Sequence, residues 1–150
     1  MSRRMALSVA AGAVVLVGAG AYALAYAGEQ PPALTHSTAR YTAPEGGRDG
    51  SLTFATSVTA SSGVKNVKVL AWPQNSSFAK NKLTAKDMAA AEPAVCVPFK
   101  KHTATCTYRI ATTASDAGSS PRGVWHVAVL ATARNGATTL DTQAADFLVK

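Results

Sequence analysis

Residues 123–133 constrain the fold more than any other stretch of the chain. Read at a period of two, Trp125, Val127 and Val129 fall on one side, and Val124, His126, Ala128 and Leu130 on the other. Such alternation describes a β-strand. Apolar side chains on both faces describe a strand covered from both sides, a place found in the middle of a sheet. The neighbouring segments supply further strands. In residues 52–58, Leu52, Phe54 and Val58 share a face; in residues 64–72, Val67, Val69 and Ala71 alternate with Lys68, Leu70 and Trp72. Residues 34–41 read as a first strand. Residues 94–99 and 103–111 flank Lys100-Lys101-His102, with Cys106, Tyr108 and Ile110 on one face of the second arm and Pro98 weakening the first. After the hairpin signal Asn135-Gly136, residues 138–142 and 144–149 form the return. Turn clusters at residues 44–50 and 60–63 separate the strands. Six or seven short strands at this spacing predict an all-β, antiparallel β-sandwich. One short helix is expected at residues 84–91, where Thr84 is the N-cap, Asp87 stands at the third helical position and Glu92-Pro93 ends the run. Residues 73–82 read as loop, and residues 115–122 as a polar stretch with Gly and Pro.

Composition matters chiefly at the N-terminus. The chain has 150 residues, the length of one domain, and is 47% hydrophobic, but the apolar residues are unevenly placed: residues 5–27 carry no charge. Met1-Ser2-Arg3-Arg4 precedes this run, Ala25-Tyr26-Ala27 closes it with a small-x-small pattern, and the polar, helix-breaking Gly28-Glu29-Gln30-Pro31-Pro32 follows. This three-part layout predicts an export signal over residues 1–27, cleaved after Ala27, then a linker at 28–33 and a sandwich domain at 34–150. The alternative is an uncleaved N-terminal anchor helix, since 23 residues suffice to span a bilayer with the arginines inside. The Ala and Gly content makes the run weakly hydrophobic and favours cleavage. Either way the folded part is expected outside the cytoplasm, secreted or held at the membrane only by its N-terminal segment.

In an oxidising compartment the two cysteines, Cys96 and Cys106, read as a disulfide. Their spacing matches no metal or redox motif. Without the two leader arginines, 13 basic and 8 acidic residues leave a formal charge of +5. Lys80, Lys82, Lys86, Lys100 and Lys101 make a mildly basic region whose ordinary role is a solvated face. The sharper reading is attraction to a polyanion such as a cell-wall polymer. Nucleic acid is disfavoured by export and by the lack of Arg–aromatic interleaving.

No G-x-S-x-G, H-E-x-x-H, phosphate-binding loop or EF-hand pattern occurs. His36, His102 and His126 are distant in sequence; Asp49, Asp87, Asp116, Asp141 and Asp146 could meet one of them in space only through the fold. His126, in mid-strand, reads as a structural histidine. Trp125 shares its phase with Val127 and Val129, so core packing is expected. Trp72, ahead of Pro73, either packs beneath residues 74–92 or forms an exposed aromatic platform for a sugar or a partner protein. Residues 73–103 are the most individual part of the chain and the expected seat of binding, with the covering of a sheet edge as their ordinary alternative.

The segments Val69-Leu70-Ala71-Trp72-Pro73, Leu83-Thr84-Ala85-Lys86-Asp87-Met88 and Pro121-Arg122-Gly123-Val124-Trp125-His126-Val127-Ala128-Val129-Leu130-Ala131 carry a resemblance. Over roughly residues 50–150 the chain resembles a family of small secreted actinobacterial proteins classed as a domain of unknown function. Through Ser62-Gly63-Val64-Lys65-Asn66-Val67-Lys68-Val69, and Gly123-Val124-Trp125-His126-Val127-Ala128-Val129 followed by Asn135-Gly136, it also resembles the immunoglobulin-like β-sandwiches of bacterial surface and secreted proteins. The resemblance implies an exported immunoglobulin-like sandwich of about seven strands and supplies no activity. The inter-sheet disulfide of antibody domains does not carry over, because Cys96 and Cys106 are local neighbours. The expectation is therefore an exported, non-enzymatic module for interaction or envelope structure, without cofactor or metal, whose partner is a cell-wall polymer or a secreted protein. Its rivals are a protease inhibitor presenting Val97-Pro98-Phe99-Lys100, a carbohydrate-binding module using Trp72, and a small hydrolase.

Overall fold

The computed structural model of the chain describes residues 30–150 and, as backbone alone, the strand Tyr22–Leu24. That strand is β1. It is followed by β2 (Ala33–Thr42), β3 (Gly50–Thr59), β4 (Val64–Pro73), β5 (Glu92–Pro93), β6 (Val95–Lys100), β7 (Thr103–Thr112), β8 (Gly123–Ala133) and β9 (Thr138–Val149), with, among the described residues, one short α-helix, α1 (Ala114–Ser119), between β7 and β8. Two antiparallel sheets result, ordered β1-β9-β8-β4-β5 and β2-β3-β7-β6. The expected export signal or anchor helix falls on residues outside those described, apart from β1, which runs antiparallel to β9 and pairs Tyr22 with Leu140 and Leu24 with Thr138.

The sheets stack because each turns an apolar face to the other. Leu34, Phe54, Val58, Ala104 and Cys106 of the four-stranded sheet meet Val67, Val69, Val127, Val129 and Ala131 of the five-stranded sheet. Burying each large side chain in this layer stabilises the fold by about 1.5–3 kcal/mol. The architecture is thus a β-sandwich. β8 lies inside its sheet between β4 and β9, as its two apolar faces require. Its outer face is covered as well: Ala128 packs with Trp72, Leu83, Met88 and Leu140 in a second core on the outside of the sheet. The two segments expected after Asn135-Gly136 join into the single strand β9. A register shift, from Val127↔Ala145 to Val129↔Asp141, separates its halves.

The helix expected at residues 84–91 is instead a single 3-10 turn, Asp87–Ala90. The reciprocal cap does form: the Thr84 N–H donates to Asp87 Oδ2 at 2.7 Å, and the Asp87 N–H donates to Thr84 Oγ1 at 3.4 Å. The backbone donor from Thr84, followed by its hydroxyl, holds the Asp87 carboxyl below the usual carboxylate range. Ala91 is already extended and β5 begins at Glu92, so there is no room for a second turn. Lys68 Nζ, donating to the Ala89 carbonyl at 2.6 Å, ties this turn onto β4. The α-helix stands in the stretch that reads as polar loop. Thr113 and Asp116 cap it by the same device, with Asp116 N–H to Thr113 Oγ1 and Thr113 N–H to Asp116 Oδ2 both at 3.0 Å.

The hairpin around Lys101 is β6–β7, and it places Cys96 directly opposite Cys106 in a disulfide with 4.0 Å between the Cα atoms. So close an approach marks a non-hydrogen-bonded pair. Pro98, paired with Ala104, has the same phase, so the N–H it lacks would have pointed to the free edge and not into the ladder. Pro98 therefore costs the hairpin no bond and removes a donor from an exposed edge. Replacing both cysteines by alanine is expected to cost about 1–3 kcal/mol in urea unfolding, with the β circular-dichroism spectrum retained; loss of the folded baseline would show that the bridge is needed for folding itself.

Candidate functional site

The four-stranded sheet has a gap. β6 pairs with β7 only from Thr103 to Thr107, so Tyr108 to Thr112 form an edge without a neighbour on that side. Ile110 shares the core-facing side of β7 with Cys106 and Tyr108, yet it is 40% exposed. The space beside it is a cleft of about 410 Å³ between the sheets, walled by Leu52, Val69, Ala71 and Ile110. The aromatic rings of Tyr41, Trp125 and Phe147 share its lining. Phe147 stacks on Tyr41 at 5.8 Å and on Trp125 at 5.9 Å between ring centroids, and Trp125 Nε1 donates to the Pro121 carbonyl at 2.9 Å. At the mouth, Tyr108 donates its hydroxyl to Glu92 Oε2 at 2.8 Å and so bridges the two sheets. Burial, then the bond to Glu92, pushes the Tyr108 phenol above its ordinary range. The cleft is mainly apolar, with the Glu92–Tyr108 pair, Thr112, Asp116 and Ser120 as polar residues in its lining, the usual make-up of a small-molecule site.

A second, polar cleft lies on the outer face of the five-stranded sheet. Trp72, His126 and Asp146 are partners in register across β4, β8 and β9. The Trp72 and His126 rings lie 4.7 Å apart, and His126 Nδ1 is 2.7 Å from Asp146 Oδ1. Gln74, Lys82, Asp141, Thr142 and Gln143 supply the other polar residues of the lining, beside Phe78, Ala79 and Leu83. A histidine and an acid thus do meet beside a cleft. The lining carries no serine or cysteine and a single hydroxyl residue, Thr142, and His126 is only 7% exposed. His36 and His102 stand elsewhere, in β2 and in the β6–β7 turn. Among the described residues no group of three or more His, Cys, Asp or Glu could hold a metal ion.

The residues expected to form an interaction surface are divided by the fold. Trp72 is 5% exposed: Phe78 meets it edge-on at 6.2 Å, Leu83 and Met88 cover it, and its Nε1 donates to the Thr142 carbonyl at 3.0 Å. It is a core residue beneath the insertion, as the first of its two expected readings has it; its place in an exposed interaction surface or sugar platform is corrected. Lys80, Lys82 and Lys86 are exposed on that insertion, whereas Lys100 and Lys101 sit at the β6–β7 hairpin tip. Val97-Pro98-Phe99-Lys100 is held in the β6 ladder and is not a free loop. Alternation already places Tyr108 and Ile110 on the core side. What escapes it is the shortness of β6, which leaves that side open, and the register that brings Glu92 to Tyr108 and Asp146 to His126.

The fold and the cleft define a β-sandwich with a side-opening apolar pocket between its sheets. The chain belongs to a family of unknown function (DUF5707), whose model matches residues 34–131, from β2 into β8. No curated protein matches the chain. No solved structure matches it.

Burial holds the Asp141 carboxyl above its ordinary range, against the opposing pull of the Gln143 N–H at 3.0 Å. A carboxyl raised in the folded state favours folding while it is protonated. That contribution is complete below the unfolded value and is lost as pH rises through the folded one. Asp141→Asn keeps an acceptor for Gln143 and never ionises. It is expected to raise Tm at neutral pH and to leave it unchanged below about pH 3; thermal melts at the two pH values check this, and equal Tm values for variant and parent at neutral pH would contradict it.

Proposed function

We propose that the protein is an exported, non-enzymatic immunoglobulin-like module that works by binding, and that its binding site is the cleft between the sheets. Taken in chain order, β2, β3, β4, β6, β7, β8 and β9 divide into β2-β3-β7-β6 and β9-β8-β4. This is the partition of strands in constant-type immunoglobulin domains, with β1 and β5 as additions at the edges of one sheet. The Cys96–Cys106 disulfide fits an oxidising compartment, and with the apolar N-terminal run it supports export. Among the described residues no helix is long and apolar enough to cross a membrane.

The observation that carries the binding reading is Ile110, a core-facing side chain left 40% exposed over a cleft of about 410 Å³. The volume and the aromatic lining suit a small molecule with an apolar, ring-containing body, and Glu92, Tyr108, Asp116 and Ser120 in the lining suit a few hydrogen-bonding groups on it. Titration of the full chain with the neutral dye phenylnaphthylamine is expected to raise dye emission and quench Trp125. Ile110→Lys, which sets a charge at the mouth without disturbing the central core, is expected to weaken dye binding about tenfold. Dye binding that ignores Ile110→Lys would overturn the site, and ester or glycoside hydrolysis abolished by His126→Gln would overturn the non-enzymatic reading.

A further inference from the structure

The end of the sandwich away from the cleft is built from three turns tied to one another. The Ala60 N–H donates to the His102 carbonyl at 2.8 Å, the Arg134 N–H to the Gly63 carbonyl at 2.9 Å, and the Asn135 N–H to Ser62 Oγ at 3.1 Å. Ala60, Ala133 and Ala137 pack together beneath them. Gly63 has φ +95, and a Cβ there would come within 2.9 Å of Arg134 Nε, so the arginine side chain lies across a space that only glycine leaves. Beside it is a cleft of about 210 Å³ lined by Lys100, His102 and Arg134, with Gly63 and the Cys96 arm of the disulfide behind them. The lining contains no carboxylate, and the three turns, residues 60–63, 101–102 and 134–137, contain neither Asp nor Glu. Among the described residues Arg134 forms no ion pair, and Lys100 Nζ has only the Phe99 ring at 5.7 Å.

We infer that this pole binds the phosphate groups of a phosphate-linked polymer that lacks nucleobases. Cations converging on a rigid frame without a counter-charge favour an oxyanion, and an arginine fork suits the geometry of phosphate. Apart from the His102 imidazole, the lining has no aromatic ring; Phe99, 68% exposed beside Lys100, stands outside it, so the cleft itself offers contacts to phosphate and no platform for stacking bases. That such a polymer lies outside the cytoplasm rests on the export reading above; the binding does not, and neither involves the apolar cleft.

The test is a titration of the full chain with long-chain inorganic polyphosphate, with inorganic phosphate and a single-stranded oligonucleotide as comparison arms. Polyphosphate is expected to bind most tightly. Lys100→Gln and Arg134→Gln are each expected to lower its affinity about tenfold and to reduce the slope of log affinity against log salt by about 1. The triple substitution Lys80→Gln, Lys82→Gln, Lys86→Gln removes more charge from the insertion and is expected to leave polyphosphate binding within about twofold. Equal losses in the pole and insertion variants would reduce the effect to net charge and overturn the inference. So would polyphosphate binding unchanged by the pole variants, or tighter binding of the oligonucleotide. Unchanged thermal melts of Lys100→Gln and Arg134→Gln, both at exposed positions, tie any loss to the site.

Discussion

The structure depends on burying both faces of β8. Its inner face, Val127, Val129 and Ala131, is buried against Phe54 and Val58 of the opposite sheet. Its outer face would lie in water if the chain between β4 and β5 did not fold back over it with Leu83 and Met88. The two cores lie back to back on one strand. A change that lifts the insertion exposes Trp72 and Ala128, and with them the row in which Trp72 meets His126 and His126 meets Asp146. The insertion is thus a structural layer first, and its exposed lysines decorate the outside of that layer.

The crossing of the chain from one sheet to the other shapes the cleft between them. Glu92 pairs with Val69 in the five-stranded sheet, the Ala94 N–H still donates to the Val67 carbonyl at 2.8 Å, and by Val95 the chain has joined β7 in the four-stranded sheet. A strand that enters its sheet at Val95 reaches no further along β7 than Thr107, and the rest of β7 faces an opening. The Tyr108–Glu92 bond spans that opening. One crossing therefore closes the sandwich at the disulfide and opens it at Ile110.

The two proposed sites lie at opposite ends of the sandwich. Toward the β7–α1–β8 end, apolar and aromatic side chains enclose a container. At the other end, three turns without carboxylates interlock, and Lys100, Lys101 and Arg134 stand on or beside two of them. A rigid frame with loops at its ends is the usual economy of sandwich proteins, in which strands fix geometry and turns supply chemistry.

Much of the fold was legible in the residues, for a local reason. A period of two in residues 52–58, 64–72 and 123–133, an Asn-Gly turn and two cysteines equidistant from Lys101 are properties of short segments, and short segments decide strand, turn and hairpin register. The capping pair Thr84 and Asp87 was legible too, but the same pattern at Thr113 and Asp116 begins the α-helix, because the length available before the next strand decides which turn continues. What only the tertiary structure decided is which strands sit side by side: that Trp72 lies across from His126, that Glu92 reaches Tyr108, that Arg134 lies over Gly63, and that β6 stops short of Ile110. Such pairings join residues far apart in the chain. They are set by how two apolar layers come to exclude water together, a property of the whole surface that no single segment carries.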